Sequence, residues 1–275
     1  VGHLVYHSIL LASEDWCKQA AAGKAKVYSF LKGRRKRIKA LAPGSVCIVL
    51  TKKTHIVYGE FTVKEVKRVA SREYRSLVEK GLIIEPQELQ PREKVWVLFF
   101  DEFVEYPVKV RKEELVKVYT STSRKPISEW PILGQTYIDD KALRAIRRIA
   151  RGIQPHLEQA ISFLEEGRRI VKENPVQASE KLYRAVEEAV KALTISLNLE
   201  EILRKVRERG EWGINELEKA ALKISEKLGD WFTVAWDRAL VLYTLGHREA
   251  KLDSEDVEKR LPDIEKLVEK IQEYC

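Results

Sequence analysis

Methionine is absent from the 275 residues, and cysteine is scarce: Cys17, Cys47 and Cys275 lie far apart and form no CxxC pair. Scattered thiols in odd number exclude a disulfide scaffold and fit a reducing cytoplasm. No run of 18 apolar residues occurs, so a membrane-spanning helix is excluded. The opening Val1-Gly-His-Leu-Val-Tyr-His7 lacks the basic start and long apolar run of a signal peptide. A cytoplasmic location and no membrane partner are therefore expected. Catalytic signatures are missing too: there is no GxxxxGK, no GxGxxG after a strand, no HExxH and no GxSxG. His3 and His7 share a strand face, but no Cys or His partners are spaced to complete a zinc site. Neither a metal nor a cofactor is expected.

The most informative absence is of acid. Residues 16–59 hold eleven Lys or Arg and not one Asp or Glu, in a chain that is 33% charged. Six of the eight residues from Lys32 to Lys39 are basic: Lys32, Arg34, Arg35, Lys36, Arg37 and Lys39. Residues 1–140 carry 25 basic and 17 acidic side chains, whereas residues 141–275 carry 25 of each. The net +8 thus sits in the first half, where it can attract a polyanion. A high share of Lys, Arg and Glu without methionine also suits a hyperthermophile.

The two halves differ in period. In the first, His3–Leu10, Ala25–Leu31, Ser45–Thr51, His55–Val69, Lys94–Phe100 and Val104–Val110 read as strands. A break near Gly59 suggests a bulge, and Pro107 argues that the last strand lies at an edge. Ser13 is placed to cap a short helix over Glu14–Ala22 closed by Gly23, and Ser71 to cap a second one ending at Gly81. From Asp139 the apolar period becomes 3.6, predicting helices near 140–151, 156–173, 177–196, 199–209, 214–228, 230–246 and 254–273. Their stops are Gly152 with Pro155, Asn174-Pro175, Asn198, Gly210 with Gly213, Gly229, and Gly246 with His247. Ser254, followed by Glu255 and Asp256, is placed to open the last helix. The expected class is α+β: a small β-barrel over 1–138, then an all-α antiparallel bundle over 139–275. The Ser/Thr/Pro-rich segment 121–134 is the expected linker.

Within the basic half, aromatic rings interleave with cations: Trp16, Tyr28, Phe30 and Tyr58 alternate with Lys18, Lys26 and Lys32. Residues 26, 28, 30 and 32 fall on one strand face. Such a face suits RNA, with cations on phosphates and rings on unpaired bases. The competing reading is barrel core for the rings and a solvated surface for the cations. Lys52-Lys53, in a probable-turn composition before His55, extends the basic set or simply serves the hairpin.

Four passages carry a resemblance: Ser13-Glu-Asp-Trp16-Cys-Lys18, Lys26-Val-Tyr28-Ser-Phe30-Leu-Lys32, Ile38-Lys-Ala-Leu-Ala-Pro43-Gly44-Ser45-Val46, and Tyr58-Gly59-Glu60-Phe61-Thr-Val63. In this order they resemble the PUA-like group of barrels, which includes ASCH and EVE domains, over about 1–138. The resemblance implies binding of RNA (tRNA or rRNA) or of a modified base. In the second half, Ala178-Ser-Glu180-Lys181-Leu-Tyr183-Arg-Ala-Val-Glu187-Glu188-Ala-Val-Lys191-Ala-Leu193 and Trp236-Asp237-Arg238 through Gly246-His247 to Asp253 resemble the archaeal PaREP family. That family looks like the HEPN class of bundles, which includes ribonucleases.

The HEPN cleavage pattern places an Arg and a His four to six residues apart on one helix, whereas eight residues separate Arg238 from His247 here. These two are the candidate catalytic residues of an alternative reading, a HEPN-like ribonuclease or nucleotide-processing enzyme. Glu187, Glu188, Lys191, Asp237 and His247 are candidate pocket residues, with an exposed ion-pair face as the alternative. Trp212, Trp231 and Trp236 read as core. Lys141, Arg144, Arg147, Arg148 and Arg151 form a basic stripe on the first helix of this half, either continuing the basic surface or simply solvated. The leading expectation is an RNA-binding protein using Trp16, Lys18, Lys26, Tyr28, Lys32, Arg34, Arg35, Lys36, Arg37, Lys39, Lys52, Lys53 and Tyr58. The helical half would then serve oligomer or partner contacts. A third reading is an interaction module with an acidic protein partner.

Overall fold

A computed structural model describes residues 6–31, 38–121, 125–132 and 134–275. The segment 32–37 and the Lys39 side chain lie outside it, so the calls on Lys32, Arg34, Arg35, Lys36, Arg37 and Lys39 do too. The chain divides into two compact units, Val1–Ala150 and Arg151–Cys275.

The first unit contains two sheets. One has the order β7-β4-β3-β1-β8, from β1 (His7–Ala12), β3 (Val46–Thr51), β4 (Ile56–Thr62), β7 (Phe103–Arg111) and β8 (Gln135–Ile138). β1 and β3 run parallel; the other neighbours are antiparallel. The second sheet, β2-β6-β5, consists of Val27–Ser29, Lys94–Phe99 and Glu65–Ala70. The class is α+β as expected, but among the described residues the strands make two sheets and no closed barrel.

The central strand explains why. Every residue of β3 is buried. Cys47 and Val49 enter the core that also holds Trp16, Tyr28 and Phe61, while Val46, Ile48 and Leu50 enter a second core on the opposite face. Period-two alternation in a strand that is apolar on both sides demands a layer against each. The second layer is α3 (Asp140–Ala150), whose Ala142, Leu143, Ile146 and Ala150 recur at helical spacing in that core. The expected boundary at 138/139 therefore falls before a helix that packs with the first unit. With α3 included, the units carry 29 basic against 17 acidic and 21 against 25 residues, so charge is segregated more sharply than the halves suggested.

Two polar clamps fix α3. Glu60, 5% exposed, accepts two bonds from Arg147, Nε to Oε2 at 2.8 Å and Nη2 to Oε1 at 3.0 Å, and a third from the Tyr106 hydroxyl at 2.5 Å. Burial alone would lower the Arg147 pKa, but the bonds and charge of Glu60 raise it instead. Arg147 is thus removed from the solvated stripe read from sequence. The Val46 amide donates to His7 Nδ1 at 2.9 Å, so Nε2 carries the proton that His7 shares with Asp140 at 2.8 Å.

Pro107 lies on the edge strand β7, as its missing amide requires. The bulge near Gly59 is present, with register shifts on both sides of β4. A Cβ on Gly59 would stand 2.4 Å from the Val104 carbonyl oxygen, so only glycine lets β7 approach there. Ser13 caps α1 (Glu14–Ala21), accepting from the Trp16 amide at 2.9 Å. Ser71 does not cap. It is the first residue of α2 (Ser71–Glu79), and its hydroxyl donates to the Pro91 carbonyl at 2.9 Å. The expected linker is part of the first unit, where Ile127 and Ile132 are core residues.

The second unit follows the predicted helices closely: α4 (Gln154–Ile170), α5 (Pro175–Ser196), α6 (Glu200–Arg209), α7 (Ile214–Leu228) and α8 (Trp231–Val241). Asn174 caps α5 by accepting from the Gln177 amide at 3.0 Å. The last predicted helix opens at Ser254 as read, but is divided into α9 (Ser254–Glu258), capped by Asp253, and α10 (Leu261–Tyr274). One stop was misread. α8 does not end at Gly246 but widens into a π-helical turn, Leu242–Arg248. Gly246 is required by packing: an added Cβ would lie 2.3 Å from Ser179 Oγ on α5.

Candidate functional site

A cavity of about 470 Å³ opens in the first unit beside β2. Trp16, Tyr28 and Phe30 supply its aromatic wall, Ile83 and Gln87 come from the loop after α2, and Lys52 and Glu85 stand at its polar side. Gln87 is oriented by its amide, which donates to Phe30 O at 2.7 Å and Ser29 Oγ at 3.1 Å. Leu31, 64% exposed, lines the same cavity and directly precedes the segment from Lys32 to Arg37.

The rings are not open platforms. Trp16 and Tyr28 are 4% and 8% exposed. Trp16 sits among Tyr28, Phe61, Phe100 and Phe103 at centroid distances of 5.5, 6.4, 6.0 and 5.8 Å. The Tyr28 hydroxyl donates to the Leu11 carbonyl at 2.8 Å. Tyr28 and Phe30 both point into the core, where they form cavity wall, whereas Lys26 lies at the partly exposed margin. Tyr58 is half-buried with Lys109 Nζ 3.9 Å from its ring centre, and burial with the nearby Glu105 raises its pKa.

Three of the described candidate cations, Lys18, Lys26 and Lys52, are also engaged. Lys18 pairs with Glu14 at 2.9 Å, Lys52 with Glu85 at 3.5 Å, and Lys26 donates to the Asp101 carbonyl. Lys53 is exposed in the turn joining β3 to β4. The acid-free run of sequence is therefore met in space by the carboxylates of Glu14 and Glu85 from outside it. Burial pushes the Cys17 thiol up to about 12, which leaves it protonated and unreactive at neutral pH.

The second unit holds a cavity of about 540 Å³ against α5. Glu187, Glu188, Lys191 and His247 line it, as grouped from sequence; Asp237 is exposed and does not. Glu180, Tyr183 and Arg184 extend the α5 wall, and Trp212 and Tyr243 face them. Sequence reasoning missed Glu180 and Tyr183, although their offsets from Glu187 place all three on one helix face. Lys191 bonds Glu187 at 2.6 Å and Glu188 at 2.7 Å, and His156 bonds the other oxygen of Glu188 at 2.6 Å. Burial would raise the Glu188 pKa, but the bonds from His156 and Lys191 hold it below the usual carboxylate range. Arg238 is not part of this site. It pairs with Asp263 at 2.5 Å and donates to the Lys259 carbonyl at 3.2 Å, so no Arg238–His247 pair exists.

These features define an α+β protein whose carboxyl-terminal bundle encloses a charged cavity. Within that bundle, residues 155–268 match the model of the archaeal PaREP1/PaREP8 family. The chain is similar to the crystal structure of a Sulfolobus solfataricus protein at 34% identity, covering 42% of this chain and 95% of that one, with a TM-score of 0.39. It is also similar to ASCH from Zymomonas mobilis at 12% identity, covering 51% of this chain and 92% of that one, with a TM-score of 0.40. No curated protein matches the chain. No helix among the described residues is long and apolar enough to cross a membrane.

Proposed function

We propose that the first unit binds RNA, gripping the phosphate backbone with Lys32, Arg34, Arg35, Lys36, Arg37 and Lys39 and admitting one unpaired base into the cavity beside β2. The observation that carries this reading is continuity: Leu31 lines the cavity, and five cations follow within the next six residues. Cations neutralise phosphates and release counterions, while an aromatic-walled cavity of this size holds a base and its sugar. Trp16 and Tyr28 act as cavity wall, and Lys53 extends the grip. Lys18, Lys26 and Lys52 contribute less, because each already has a partner in the fold. The bundle serves oligomer or partner contacts.

Filter binding of single-stranded RNA, tRNA and duplex DNA at two salt concentrations tests the proposal. Replacing Arg34, Arg35, Lys36 and Arg37 by Ala should weaken RNA binding and flatten its log–log salt slope by up to about 3. Leu31→Glu should weaken binding to unpaired RNA while leaving the fold intact, because Leu31 is exposed. Affinity that ignores salt, or is untouched by both variants, would end this reading.

A further inference from the structure

The cavity on α5 has a polar gap that nothing in the fold fills. His247 Nδ1 is itself buried and has no hydrogen-bond partner among the described residues. Its nearest charged neighbour is Glu180 Oε2 at 4.0 Å, too long for a hydrogen bond. Glu180 Oε1 is already used, since Arg184 Nη2 donates to it at 2.9 Å. The Oε2 atom and the imidazole nitrogen therefore stand 4.0 Å apart with no bond between them, so that a donor placed beside the pair can reach both. An ammonium nitrogen roughly 2.8 Å from both acceptors spans that gap, with its remaining protons directed into the cavity.

The charge around the gap selects the same chemistry. Three carboxylates, Glu180, Glu187 and Glu188, line the cavity against two permanent cations, Arg184 and Lys191. Both cations are consumed by those carboxylates. An entering anion would meet a net negative wall with its cations already bound, whereas an amine adds the missing positive charge. Beyond the gap the wall turns apolar and aromatic. Tyr183 stacks on Tyr243 at 4.5 Å, and Tyr243 in turn lies 6.1 Å from the His247 ring at 27°. The π-helical turn carries both Tyr243 and His247, and wide turns of this kind are frequent at functional sites.

We infer that the bundle cavity is a binding site for a small organic cation, a primary amine with an apolar or aromatic body. The ammonium bridges Glu180 and His247, and the body lies along Tyr243 towards Trp212 and Leu217. This site is separate from the RNA reading and does not depend on it.

Isothermal titration calorimetry of the full chain tests it, with phenethylamine and putrescine as amine probes and AMP and citrate as anions. Saturable binding of an amine is expected, weakened about tenfold by Glu180→Gln and by His247→Leu, one lost charge-assisted hydrogen bond being worth about that much. Glu201→Gln, on the exposed surface of α6, should leave it unchanged. Thermal melts establish that the variants are folded; should Glu180→Gln unfold, His247→Leu alone decides. Absence of amine binding, binding indifferent to the substitutions at both positions, or anions binding here in place of amines would each overturn the site.

Discussion

The two units solve opposite electrostatic problems. The first holds 29 basic and 17 acidic residues, yet its most buried charged contact is built on an acid, Glu60. The second holds 21 basic and 25 acidic residues, and its cavity is organised on one helix, α5, by ion pairs three and four residues apart. In the first unit, polar contacts tie elements that are far apart in sequence, such as Glu60 to Arg147. In the second, local pairs decorate a bundle whose helices are specified by their own periodicity. The lesson is that sequence patterns report local design well and long-range design poorly.

The contrast can be broken experimentally, starting with the largest effect. Glu60→Ala leaves Arg147 and Tyr106 without their shared acceptor and should cost about 3 kcal/mol, the loss expected for one partner of a largely buried pair. Hydrogen exchange read by mass spectrometry should accelerate in β4, β7 and α3 and stay unchanged in α5. Equal acceleration in α5 would mean that the units do not fold independently. Gly246→Ala is the mirror experiment. Its methyl group collides with Ser179, so a loss of about 2 kcal/mol confined to the second unit is expected. Adding Ser179→Gly should recover part of that loss in a denaturant titration, and no recovery would locate the strain elsewhere.

Smaller still is Ser13→Ala, which removes the α1 cap and should cost about 1 kcal/mol, visible in the first unit's melting. The subtlest change concerns shape with pH. The Glu188 pKa is depressed in the fold, so the stability it contributes is present above its unfolded pKa and is lost as pH falls through the folded value. Glu188→Gln should therefore flatten the acid side of the second unit's stability curve. An unchanged acid slope would remove Glu188 as its source.

The bundle was largely legible in the sequence, because Pro175, Asn198, Gly210 and Gly229 punctuate a continuous 3.6-residue period. Gly246 misled, since a glycine that ends a helix and one that lets two helices touch look alike until the partner, Ser179, is known. Most strands were legible as well, including the bulge at Gly59 and the edge position of Pro107, but His55–Val69, read as one strand, divides into β4 and β5 in different sheets, and β8 went unread. Their arrangement was not, because pairing β8 to β1 and packing α3 into the core that β3 shares are decided by contacts between residues far apart in the chain. Interleaved aromatic and basic residues at 26–32 suggested an outward face; Tyr28 and Phe30 do share a direction, but it is inward, because the core claims the rings. The cavity loop bearing Ile83 and Gln87 has no periodicity and left no signal. On α5, by contrast, Glu187, Glu188 and Lys191 announced themselves through spacing.

The widened turn between Leu242 and Arg248 amounts to one extra residue accommodated within a continuous helix. Each residue of an ordinary α-helix advances the side-chain direction by about 100°. Winding the same residues as a regular α-helix would advance every later side chain by about one position and swing the imidazole away from the carboxylate it now faces. The orientation of that ring thus rests on a one-residue surplus in the backbone, a device that evolution can install or erase in a single step.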